Sequence, residues 1–279
     1  MSAIAASDVK LGAHRFRLYE SGKPGREAVL WLHGSGPGVT ALTNWEDVLG
    51  TFAADFHNLA PDLIGFGDSS HPDPPPQGLA AFTELRIDAL LGLLDEQGLE
   101  RVHLVGNSMG GIVSVQLAMR APERVARIVL MGTGGAPVPP TPELMKLITF
   151  YDDPTREAMA DLVRSFVYDP ACVGGDLEKI AAARMPVALR PEVRRSHLAT
   201  FSPGPPLPFA PQDLARVAHP TLVVHGREDR IIPVAVSHYF AMHLPDARLY
   251  VMPHAGHWLQ LEHPLAFANL VRAFLQGGL

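Results

Sequence analysis

Cysteine is nearly absent from this 279-residue chain, with Cys172 the single example. One thiol closes no internal disulfide, and no cysteine or histidine cluster stands near it at zinc spacing, so disulfide scaffolds and structural zinc sites are excluded. Basic runs are missing as well: 23 Lys and Arg against 29 Asp and Glu leave a net charge of -6, which offers nucleic acid no footprint. No run of about 18 apolar residues spans a membrane, and MSAIAASDVKLGAHRFRL at the start lacks the basic and apolar regions of a secretory leader. The expectation is a cytoplasmic protein in a reducing compartment that handles a small molecule, with no nucleic-acid or membrane partner.

What is present is core. Hydrophobic residues make up 47% of the chain, enough for one large domain or a domain carrying an insertion. Apolar runs at 28–33, 56–63, 101–106, 127–132, 221–226 and 248–253 read as strands covered on both faces. Helical patterns lie between them, notably at 81–97, 111–120 and 264–275. Strand alternating with helix predicts a mostly parallel α/β sheet flanked by helices. The alternation stops after Gly132 and resumes near Pro220, and the interval is bounded by GTGGAPVPPTP and FSPGPPLPFAP with four short helices between. An inserted helical lid over 134–214 is expected, with the core split into 1–133 and 215–279; a separate small domain is the alternative.

Gly106-Asn107-Ser108-Met109-Gly110 fits G-x-S-x-G and sits between the strand RVHLVG and the helix GIVSVQLAM. That context suits a sharp strand-to-helix turn exposing Ser108 as a nucleophile; a serine that merely caps the helix is the competing explanation. A serine hydroxyl needs a base, and the base needs an orienting acid, in the chain order Ser, Asp or Glu, His. Asp229 in HGREDR follows one strand and His257 in HAGHWLQLEHP follows the next. Glu228 competes with Asp229, and His254 and His263 compete with His257. LHGSGPG at 32–38 then reads as the loop of an oxyanion hole, with the backbone N–H groups of Ser35 and Met109 as donors and Gly36 as a third. No Lys-Ser or Lys-Thr pair follows at the spacing of a phosphate loop.

HGSGPGVTALTNW at 33–45, PDLIGFGDS at 61–69, GNSMGG at 106–111, MGTGGAPVPPTPEL at 131–144, HGREDRIIP at 225–233 and GHWLQLEHP at 256–264 together resemble the α/β-hydrolase superfamily. More narrowly they resemble the meta-cleavage product hydrolases, carbon-carbon bond hydrolases of bacterial aromatic catabolism. That resemblance implies the α/β-hydrolase fold with an inserted helical lid, no metal, no organic cofactor and a homodimer or larger assembly. It implies cleavage of a 2-hydroxy-6-oxo-hexa-2,4-dienoate to a 2-hydroxypentadienoate and a carboxylic acid. It places Asn44, Asn107, Arg184 and Trp258 in a polar pocket for the dienoate. In AAARMPVALRP, Met185 and Pro186 depart from the family pattern, the helix is liable to break at Pro186, and Arg190, Arg194 and Arg195 are alternatives to Arg184. The apolar pocket for the group on C6 is expected from the lid, through Leu144, Phe150, Tyr151, Phe166 and Val167, with Ile232 or Val234 from the acid loop. A carboxylesterase or lactonase on the same triad, and a non-catalytic binding protein on the same fold, are the competing readings. Epoxide hydrolases and haloalkane dehalogenases of similar shape use an aspartate where this chain has Ser108.

Overall fold

The computed structural model describes residues 4–204 and 207–279; Met1–Ala3 of the N-terminal stretch and Pro205 and Pro206 of the second proline-rich joint lie outside them. Eight strands form one sheet in the order β1-β2-β4-β3-β5-β6-β7-β8. The strands are β1 (Ala5–Leu11), β2 (His14–Ser21), β3 (Ala28–Leu32), β4 (His57–Pro61), β5 (Val102–Asn107), β6 (Val125–Met131), β7 (Thr221–Gly226) and β8 (Ala247–Met252). From β4 across to β8 every pairing is parallel; β2 runs antiparallel to both β1 and β4. The central strands β3, β5 and β7 are buried at every position, which explains their unbroken apolar runs.

Helices cover both faces. One apolar layer includes α1 (Ala41–Phe52), where Trp45 and Phe52 meet Trp31 of β3 at ring separations of 5.2 and 5.0 Å from it. The other includes α2 (Leu79–Glu96) and α3 (Met109–Arg120). Between β6 and β7 the chain leaves the sheet and forms α4 (Pro142–Ile148), α5 (Arg156–Phe166), α6 (Leu177–Ala188), α7 (Pro191–Thr200) and the single turn α8 (Pro211–Leu214). Three of these starts are set by side chains: Thr141, Thr155 and Asp176 each accept a backbone N–H of their first turn. After β7 come α9 (Ala235–His243), then β8, α10 (Leu259–Glu262) and α11 (Pro264–Leu275). Among the described residues no helix is long and apolar enough to cross a membrane.

The expected break at Pro186 does not occur, because α6 runs through it to Ala188. Pro186 lies in the last turn, where a missing N–H costs one ladder bond and the Leu189 N–H still closes on Met185 O at 2.9 Å.

Two buried histidines tie the core and the helical region to pH. His33 accepts the Leu63 N–H on Nε2 at 2.9 Å and donates from Nδ1 to Gly34 O at 2.7 Å, and burial pushes its imidazole down to about 4. His197 of α7 donates to Ile148 O and is likewise pushed down by burial to about 4. A histidine of ordinary affinity when unfolded binds more protons there than in the fold, so stability is full above about pH 6.5 and is lost as pH falls toward 4. At pH 5 the loss is about 2 kcal/mol for each. Buried Asp62, pushed up to about 6, works the other way, gaining about 1 kcal/mol on the same descent. The histidines prevail. Urea unfolding should therefore show a lower ΔG at pH 5 than at pH 7.5, and His197→Gln should shrink that difference; an equal difference in the variant would contradict the assignment.

Candidate active site

Ser108 joins the end of β5 directly to the start of α3 with φ 54° and ψ -113°, a backbone conformation that costs an L-residue of order 1–3 kcal/mol. The turn is tight enough that a methyl at Gly106 would strike the Gly110 carbonyl, and one at Gly110 would strike the Leu32 carbonyl. The Ser108 N–H donates to Met131 O on β6 at 2.9 Å, pinning the turn to the neighbouring strand. Its hydroxyl makes no capping bond to α3, which removes the simple capping explanation for a serine at this position. Ser108 instead borders a cavity.

The loop after β8 carries His257, and the loop after β7 carries Asp229. Nδ1 of His257 donates to Asp229 Oδ2 at 2.6 Å, and both side chains are buried. The other carboxylate oxygen accepts the N–H groups of Ile231 and Ile232 at 2.8 and 2.9 Å. An acid held at both oxygens fixes the ring orientation and the tautomer, leaving Nε2 as the basic nitrogen. His257 is held from its backbone as well, by donation to Phe166 O at 2.7 Å. The competitors are occupied elsewhere. Glu228 takes Arg227 Nε at 2.8 Å and the Ala255 N–H at 3.1 Å, and His263 bonds the carbonyl of exposed His254 at 2.7 Å.

Ser35 and Met109 border the same cavity as Ser108, and the N–H of each has no acceptor among the described residues. Gly36, at φ 140°, is not among the lining residues. Asn44 on α1 accepts the Gly34 N–H at 3.0 Å, so its amide supports the Gly-rich loop. Asn107 donates to Met131 O at 3.2 Å from the end of β5.

Arg184 is 6% exposed, and no carboxylate among the described residues pairs with it. Its guanidinium lies 4.9 Å from the centre of a Trp258 ring, and burial lowers it to about 10, so it remains charged at neutral pH. The sequence alternatives to Arg184 are spoken for: Arg190 pairs with Asp68 and Glu192, Arg195 with Asp73, and Arg194 lies over Tyr151. A buried cation with no partner is costly unless something anionic visits it. Arg184 and Trp258 line a second cavity, separate from the one at Ser108.

The cavity at Ser108 has a volume of about 230 Å³. Of the residues expected in its apolar wall, Leu144 and Ile232 line it, whereas Phe150, Tyr151, Phe166, Val167 and Val234 do not. Phe166 stacks on Trp258 at 4.6 Å and lies 5.4 Å from the His257 ring, so it packs against that histidine rather than lining the cavity. Phe150 packs edge-on against Tyr151. Val234 precedes α9, whose first turn presents Val236 to the cavity instead. Ile148 and Phe201 complete the wall from the lid.

Two further residues had escaped the sequence reading. His225 on β7 lies 3.4 Å from Asp229 Oδ2 through Nε2, which also donates to Ile232 O at 2.9 Å, while Nδ1 accepts from Ser237 at 2.6 Å. Arg86 on α2 is fully buried, donates to Ile64 O at 3.0 Å and Thr200 Oγ1 at 3.2 Å, and reaches Met109 Sδ at 3.4 Å. A strand histidine and an arginine in an apolar helix carry no motif; only the signal of an ionisable residue at a core position marks them.

A methyl at Gly132, where φ is 52°, would sit 3.0 Å from His257 Nδ1 and 3.3 Å from Asp229 Oδ2. Gly132→Ala should therefore push the imidazole off the carboxylate and lower p-nitrophenyl acetate turnover at least tenfold, with the protein still folded by circular dichroism. Unchanged turnover would mean that this pair is not the working one.

The pattern of the alpha/beta hydrolase family matches residues 29–270. The 2-hydroxymuconate semialdehyde hydrolase of Pseudomonas sp. (strain CF600) is 38% identical over 267 residues, which cover 94% of this chain and 90% of that protein. Among solved structures, the 2-hydroxy-6-oxo-6-phenylhexa-2,4-dienoate hydrolase of Rhodococcus sp. strain RHA1 superposes with a TM-score of 0.94 at 39% identity, covering 99% of this chain and 100% of that one. A serine hydrolase from the polyaromatic hydrocarbon-degrading bacterium Cycloclasticus zankles superposes with a TM-score of 0.95, also at 39% identity, covering 99% of both chains.

Proposed function

The chain belongs to the alpha/beta hydrolase family and stands within it among the meta-cleavage product hydrolases; from that premise we propose that it cleaves the C5–C6 bond of a 2-hydroxy-6-oxo-hexa-2,4-dienoate, giving a 2-hydroxypentadienoate and a carboxylic acid. The observation that carries the reading is Arg184, a buried cation without a carboxylate partner in a family site where simple ester hydrolysis has no use for one. A planar guanidinium binds a carboxylate through two parallel hydrogen bonds, and a site shielded from water strengthens that pairing.

Chemistry at C6 follows from the order of bond changes. The dienol must first become the ketone, because C5 leaves as a carbanion only when a conjugated carbonyl can take up its electrons. Arg184 and Trp258 hold the dienoate end while this happens. His257, oriented by Asp229, accepts the Ser108 proton as Oγ bonds to C6. The oxygen on C6 gains negative charge facing the N–H groups of Ser35 and Met109, whose removal in comparable sites costs 10²–10³-fold in turnover. The C5–C6 bond then breaks, its electrons pass into the dienolate, and the proton held by His257 is returned to the departing fragment. The acyl group left on Ser108 is released by water, with His257 again as the base.

Stopped-flow absorbance separates the readings. Wild-type protein should bleach such a dienoate faster than it hydrolyses p-nitrophenyl acetate, and Ser108→Ala should abolish both. Arg184→Ala should lower dienoate kcat/KM at least 100-fold and ester turnover less than threefold. Equal losses on both substrates, or ester turnover without bleaching, would favour a carboxylesterase or lactonase.

A further inference from the structure

Arg184 and the nucleophile candidate border different cavities, and on the reading above, with the dienoate carboxylate at Arg184, the difference bears on the group at C6. The cavity of about 230 Å³ starts at Ser108, Ser35 and Met109 and runs under the helical region; Arg184, Asn44, Asn107 and Trp258 do not line it. If the carboxylate end lies at Arg184, the whole of this space lies beyond the carbonyl carbon. Its described lining contains no charged residue, and its hydroxyls are those of Ser35, Ser108 and Thr141. Thr141 is already satisfied, donating to Ile231 O at 2.8 Å and accepting the Leu144 N–H at 3.0 Å. Past the reacting centre, therefore, no free polar side chain awaits a ligand.

Size and polarity exclude different substituents. A carboxylate on the C6 side would lose its hydration with no cation or donor to replace it, which is a heavy cost. A hydrogen or a methyl would leave most of the space unfilled, forfeiting the dispersion contacts and apolar burial that a close fit supplies. An apolar cavity of about 150 Å³ takes up benzene. This one is larger and is walled by Leu144, Ile148, Phe201, Ile232 and Val236.

We infer that the preferred substrate carries an apolar ring on C6, as a 2-hydroxy-6-oxo-6-aryl-hexa-2,4-dienoate, and that the acid released is an aromatic carboxylic acid. The assignment rests on the carbon-carbon hydrolase reading of the same site. It also fixes the chemistry upstream: the substrate must come from oxygenative ring opening of a catechol that bears an aryl group beside a hydroxyl.

The test is a series of 2-hydroxy-6-oxo-dienoates with hydrogen, methyl, isopropyl, phenyl or 2-carboxyethyl on C6, followed by loss of dienoate absorbance. The phenyl compound should exceed the methyl and hydrogen compounds at least tenfold in kcat/KM, and the carboxyethyl compound should be the poorest. Ile148→Trp, which fills the cavity from its lid side, should lower the phenyl-to-methyl ratio at least tenfold. Methyl or hydrogen matching phenyl, carboxyethyl outrunning it, or a ratio unmoved in the variant would overturn the inference while leaving the carbon-carbon hydrolase intact. Ester turnover with no bleaching of any dienoate would remove that underlying reading and the inference with it.

Discussion

Everything at the site hangs from one strained residue. Ser108 holds φ 54° because β5 must turn at once into α3, and the turn closes only where Gly106 and Gly110 lack side chains. The strain is maintained by the sheet, through the Ser108 N–H bond to β6, and by the buried strands β3 and β6 on either side. One consequence is exposure of a hydroxyl at the C-terminal edge of the sheet. Another is that the first N–H groups of α3 lie beside it with no helical acceptor, giving a partial positive charge where an oxyanion would form. The loops after β7 and β8 reach the same edge because those strands are parallel to β5, with β7 beside β6 and β8 beside β7. Parallel topology, not proximity in sequence, brings Asp229 and His257 together.

Buried cations are the second theme. Arg86 and Arg184 both lack a carboxylate, yet their surroundings differ. Arg86 is covered by neutral partners: a carbonyl, a threonine hydroxyl, a thioether and the faces of Phe66 and Phe82. It knits α2 to α7 and to the residue after Ser108, and it has no need of a ligand. Arg184 has one aromatic face and a cavity. The contrast supports a binding role for Arg184 and a scaffolding role for Arg86, although the two look alike in sequence. A cavity bordered by a buried cation, distinct from an uncharged cavity at Ser108, suits a substrate that is itself an anion at one end and apolar at the other.

Much of the architecture was readable because burial on both faces writes unbroken apolar runs, as in AVLWL and TLVVHG. The β1–β2 hairpin was not readable that way. Its strands alternate charged and apolar residues, since one face is solvated, and Lys10, Arg15 and Arg17 interrupt every run. Helix α1 was not among the helices named from sequence, although Ala41, Trp45, Val48, Leu49 and Phe52 recur at helical spacing and a capping box between Thr40 and Thr43 marks its start. Motif residues were legible where backbone geometry demands a residue type, as at G-x-S-x-G. The cavity wall was not: which face of a lid helix meets the core depends on docking, so Phe150 and Phe166 look as suitable as Ile148 and Phe201. Only the assembled structure turns Phe166 onto Trp258 and Phe201 toward Ser108's cavity.

The central claim is that Ser108 is made nucleophilic by His257 and Asp229, and covalent labelling tests it most directly. A fluorophosphonate bonds to an activated serine oxygen with loss of fluoride, adding a fixed mass to the protein. The account predicts one adduct per chain, located by peptide mass spectrometry on Ser108 and at least 100-fold slower to form in His257→Ala. An adduct on another residue, or labelling of Ser108 at the same rate without His257, would contradict it.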